Sequence, residues 1–181
     1  MARRWARSLW FASFCLSACM AAAAPASSKL LTEEEAGDPR LVVQQLQQPG
    51  DETDKKLAGQ LLRQGQQQSQ RRNWSAAVKL LGESMIRHPT PEALAGYADA
   101  EIRMLAQARA HERDLDERIQ GDMRHAVRFY ESSLAADSVL KTLGPQKRFQ
   151  VERNVACLQA FLRTGDKGKP CEPLHWYLPR R

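Results

Sequence analysis

From Asp54 to Arg163 the apolar residues recur every three or four positions, and no segment alternates apolar with polar residues between hairpin turns. Leu57, Leu61, Leu62 and Gly65 make one stripe. Trp74, Ala77, Val78, Leu81, Met85 and Ile86 make a second, which ends at His88-Pro89. Leu94, Tyr97, Ala98, Ile102 and Leu105 form a third, and Met123, Ala126, Val127, Phe129, Tyr130 and Leu134 a fourth. Phe149, Val151, Val155, Leu158, Phe161 and Leu162 form the fifth. Such spacing gathers each set on one face of an α-helix, whereas a half-buried strand needs a period of two. An all-α domain over residues 54–163 is expected. It should have five principal helices and bury Trp74, Ala77, Leu81, Ala126, Tyr130 and Leu158.

The stripes repeat. Shifted by 49 residues, Trp74, Ala77, Val78, Leu81, Ser84 and Pro89 fall on Met123, Ala126, Val127, Tyr130, Ser133 and Ser138. This pattern resembles the second helix of tetratricopeptide repeats. Gly65, twelve residues before Ala77, matches the small residue that lets the paired helices of that family approach closely, and Gly121-Asp122 matches its turn into the second helix. The resemblance implies a short right-handed solenoid of stacked helix pairs, two repeats and a third first helix at Pro145–Arg163, which share one elongated core. The family repeats after 34 residues, so the surplus near Met104–Gln120 implies a second repeat with lengthened helices or with a projecting arm. Opposite charges three and four apart in Arg103–Arg124 suit a solvated, self-paired helix face. In this family the concave face, lined by first helices, takes a protein ligand. The resemblance therefore implies a partner groove at Gln66, Asp99, Ile102, Arg103, Arg153 and Phe161.

The other informative segment is the leader. Arg3, Arg4 and Arg7 precede an apolar run from Leu9 to Leu16, the layout of an export signal. Leu16-Ser17-Ala18-Cys19 resembles the lipobox of bacterial lipoproteins, which implies cleavage after residue 18 and a lipid on Cys19. Met20 is not the aspartate that marks inner-membrane retention in enteric bacteria. The expected address is thus the outer membrane, facing the periplasm. Simple secretion to the periplasm is the alternative, with a cut after Ala24 or Ala26. Leu9–Ala24 is too short and weakly apolar for a transmembrane span. Residues 19–53, broken by Pro25, Pro49 and Gly50, read as a tether with short helical pieces at Leu30–Glu35 and Leu41–Leu46.

An exported chain sets the cysteine reading. With Cys15 in the leader and Cys19 lipidated, Cys157 and Cys171 remain as an even pair in an oxidising compartment, which favours a disulfide over two free thiols. Residues 164–181 hold too many glycines and prolines for a regular helix. They are expected to cap the last helix through Trp176 and Tyr177, held by the bond. Closing such a loop is worth about 3 kcal/mol in the chain-entropy model.

Little else suggests chemistry. Removing residues 1–18 takes three arginines and no acid, lowering the formal charge from +6 to +3. The remaining basic excess is dispersed and gives no reason to expect nucleic acid. His111-Glu112 lacks the second histidine of a zinc-protease helix. Asp122 and His125 can pair on one helix face, and the four histidines read as scattered surface residues. No nucleophile elbow, phosphate loop or Cys-x-x-Cys occurs. No catalytic residue, metal or cofactor is expected. The expected function is a lipid-anchored adaptor that helps assemble or localise an envelope machine through a protein partner. A toxin- or enzyme-neutralising lipoprotein is the alternative, and a hydrolase is disfavoured.

Overall fold

A computed structural model of the chain describes residues 30–108, 116–165 and 171–177. Among these residues the fold is entirely helical. The helices are α1 (Glu33–Ala36), α2 (Pro39–Gln47), α3 (Glu52–Gln70), α4 (Trp74–Arg87), α5 (Pro91–Ala108), α6 (Asp116–Leu140), α7 (Pro145–Thr164) and α8 (Glu172–Tyr177). Local chemistry sets their ends. Asp51 accepts from the Thr53 N–H at 2.7 Å to start α3, and Thr90 accepts from the Ala93 N–H at 3.3 Å to start α5. Prolines open α2, α5 and α7, where a missing N–H costs nothing. Helix α7 stops on Gly165, which adopts φ +66°.

Successive long helices pack on one another in chain order, α3 on α4, α4 on α5, α5 on α6 and α6 on α7. The two hairpins use the same device. Ser84 of α4 donates its hydroxyl to the Ala58 carbonyl of α3 at 2.9 Å, and Ser133 of α6 donates to the Pro91 carbonyl of α5 at 2.8 Å. Both serines are fully buried, so each bond satisfies a polar group that would otherwise be costly. The partners lie 26 residues apart in the first hairpin and 42 in the second. The surplus of the second hairpin thus sits between Pro91 and Ser133, at the far ends of α5 and α6, which run to 18 and 25 residues.

Close approach is concentrated at Leu81. A Cβ placed on Gly65 of α3 would stand 2.6 Å from the Leu81 Cγ, so only glycine fits there. On the other side, Gly96 of α5 faces the Leu81 Cδ1 at ordinary contact distance. Ala77, Leu81, Ala126, Tyr130 and Leu158 are buried as expected. Trp74 is only half-buried: it packs against the edge of the core, and its ring also meets an arginine. Phe149, expected on the α7 stripe, is 61% exposed.

Three other expectations are corrected. Gly121-Asp122 is no turn: α6 begins at Asp116 and runs through it, since a glycine with open space around it merely weakens a helix. Residues 109–115 of the expected arm lie outside the described residues, as does the leader with Cys19. The tether ends early. Thr32 and Glu35 form a reciprocal capping box that starts α1, Ala36 and Val42 are fully buried, and α1 and α2 dock on α4 and α6. The tail also sits elsewhere. Cys157 and Cys171 are at bonding distance, Sγ–Sγ 2.17 Å, but α8 lies mainly against α5 and less against α7.

The two glycines make opposite predictions. Gly65→Ala should destabilise by roughly 1–3 kcal/mol, because the overpacking exceeds the gain in helix propensity. Gly121→Ala, in open space on α6, should stabilise by up to about 1 kcal/mol. Urea melts of the two variants measure both, and a neutral Gly65→Ala would contradict the α3–α4 packing.

Candidate functional site

Helices α3 and α5, with Lys147 at the start of α7, border a groove of about 620 Å³. Leu81 forms part of its floor, Gln66 and Ser69 one wall, and Asp99 and Arg103 the other. Of the six expected groove residues, Gln66, Asp99 and Arg103 come together here. Ile102 and Phe161 are buried in the core, and Arg153 is exposed away from the groove.

Asp99 anchors a polar network. It accepts the Tyr130 hydroxyl and lies 3.4 Å from the Lys147 ammonium. Burial pushes its carboxyl above the usual range, while Lys147, the Tyr130 bond and Arg103 pull the other way. The Tyr130 phenol is pushed well above its ordinary value, first by burial and then by the Asp99 charge. Asn154, also buried, hydrogen-bonds the same phenol. These groups bind one another across α5, α6 and α7.

Arg103 is held differently. Its guanidinium carbon lies 3.7 Å from the centroid of Trp176 and 4.9 Å from that of Trp74. Both indoles are within cation–π range, so α8 and the first turn of α4 meet on one side chain of α5. Tyr177 completes the seat of α8 by donating to Asp122 at 2.7 Å. Sequence reasoning assigned Trp74 to the core and Trp176 to a cap, and missed Lys147, Tyr130 and Asn154. The signal for the last three was weak: one cation and two polar-tipped residues on otherwise periodic helices.

A second cluster joins the N-terminal segment to the body. His125 of α6 bonds Glu101 of α5 through Nδ1 at 2.8 Å, and its Nε2 lies 3.7 Å from Glu33 of α1. His125 thus reaches across to α1 and α5, beyond the Asp122 pairing that the sequence allowed. Tyr97 donates to Glu33 at 2.8 Å, and Arg128 donates to the Glu34 and Gly37 carbonyls. Ligand atoms of Glu33, Glu101 and His125 lie within 4.8 Å of one another, near enough to share a metal ion. Their mutual bonds and the adjacent Arg128 describe an ion-pair latch.

No protein-family model, curated protein or solved structure matches this chain.

The latch titrates. Its hydrogen bond to Glu101 raises the His125 pKa above 6.5, the charges of Glu101 and Glu33 add to this, and burial and Arg128 oppose it. A folded-state pKa above the unfolded one contributes stability that is fully present below about pH 6.5 and is lost as pH rises through the folded value. The melting-temperature difference between wild type and His125→Gln should therefore shrink as pH rises across that window. A difference constant with pH would show that the imidazole does not charge in the fold.

Proposed function

We propose that this chain is a lipid-anchored periplasmic adaptor whose tetratricopeptide-like helix pairs hold a protein partner and help assemble or localise an envelope machine. The observation that carries the reading is the groove between α3 and α5, where Gln66, Asp99 and Arg103, three of the residues that the resemblance implied for a partner groove, line one open surface. The paired buried serines and the Gly65 close approach support helix pairs built on one plan. The solenoid departs from the family in its long second pair and in α8, which lies against α5. Anchoring rests on the lipobox-like Leu16–Cys19 and the export-type leader. Two or more acyl chains hold a protein on a bilayer stably, where one does so only marginally. No described helix is long and apolar enough to cross a membrane.

A photo-crosslinking residue at exposed Gln66 should capture a discrete partner in the membrane fraction, and the same residue at Arg124 on α6 should not. Cys19→Ser should release the chain from that fraction or block its processing. An unlipidated mature N-terminus at Ser27, or equal adducts at both positions, would overturn the reading.

A further inference from the structure

The arginines of the groove differ from its acids in one respect. Among the described residues, Asp99 is already engaged by Tyr130 and Lys147, and Glu92 accepts the Thr142 hydroxyl at 3.1 Å. Arg103 and Arg72, on the same lining, have no ion pair among those residues. Asp99, one turn earlier on α5, acts on Arg103 through space without bonding it.

A cation–π contact with an indole does not consume the N–H donors of a guanidinium, which remain for a hydrogen-bonding partner. In contact with both Trp74 and Trp176, Arg103 has given up much of its rotational freedom before any ligand arrives. It is also half-buried, so water competes less for its donors than at an open surface. A preorganised planar fork of this kind matches a carboxylate, which accepts two parallel N–H bonds. An amide or hydroxyl offers no such pair of anionic oxygens.

Resting on the adaptor reading, we propose that Arg103, held by contacts with Trp74 and Trp176, is the receptor for a side-chain carboxylate on an acidic segment of the partner lying in the groove. Arg72 at the groove lip adds positive charge for a second acid. The internal pairing of Glu92 and Asp99 keeps the two groove acids from repelling the segment at full strength. Trp176 is a positioning residue: it acts through Arg103, and it arrives on the tail tethered by Cys157 and Cys171.

The test titrates the full mature chain, disulfide closed, with a short acetylated and amidated peptide alternating glutamate and leucine. The readout is the Arg103 Nε–H nuclear magnetic resonance signal together with titration calorimetry. The peptide should bind saturably and shift that signal. Its glutamine counterpart, and the Arg103→Lys variant with charge retained, should each bind about tenfold or more weakly, as expected when a charge-assisted bidentate pair is lost. Trp176→Ala should also weaken binding, with helicity unchanged by circular dichroism. Equal binding of the glutamate and glutamine peptides would overturn carboxylate recognition while leaving a groove that holds chains. Failure of the glutamate peptide to bind, or undiminished binding to Arg103→Lys, would overturn the proposal too. The crosslink at Gln66 judges the adaptor reading independently.

Discussion

Leu81 stands between two glycines, Gly65 on α3 and Gly96 on α5, and the rest of the arrangement follows from that contact. A side chain at position 65 would force α3 away from α4. Because Leu81 touches α5 as well, it fixes how far α3 and α5 stand apart, and the space above it is the groove. The same leucine is a fully buried core residue and part of the groove floor. Packing therefore sets the shape of the surface, as expected where interiors are dense and transmit strain.

Helix α5 is the element on which the others converge, with contacts to α3, α4, α6 and α8. Four alanines, at 93, 95, 98 and 100, are buried along it and let neighbours come close on several sides. Its remaining surface carries the chemistry. Tyr97 and Glu101 reach the N-terminal latch, whereas Asp99 and Arg103 face the groove. A network such as Asp99–Tyr130–Asn154, with the phenol and the amide buried and the carboxylate partly so, is tolerable only when its members satisfy one another. Here they do so while linking three helices. The electrostatics of the groove and the register of α5 against α6 are thus set by the same bonds.

The sequence made the long helices legible because burial of one helix face leaves a period that composition cannot hide. The Gly65 contact and the Cys157–Cys171 pair were legible too, the first through the tetratricopeptide resemblance and the second from the two cysteines that the export reading leaves over. Ile102 shows where that reading ends. It sits next to Arg103, but successive residues of a helix point about 100° apart, so one enters the core and the other the groove. Trp74 was misread because a large aromatic on a stripe looks like core, and nothing local signals an arginine stacked on its face. Gly121 looked like a turn because it fell where the resembled repeat places one, and glycine is at home in turns. The docking of α1, α2 and α8 is a tertiary event of short helices, too brief for periodicity to register.

Hydrogen exchange of the oxidised and reduced protein, resolved by residue, tests most directly whether α5 is the fixed frame and α8 a tethered visitor on it. Buried core helices exchange through global unfolding and peripheral ones through smaller openings. Reduction of Cys157–Cys171 should accelerate exchange in 172–177 and leave the buried amides of α5 at the rate of global unfolding, with α3 and α4 unchanged. Loss of α5 protection on reduction, or α8 protection equal to that of α5 in both states, would contradict the account.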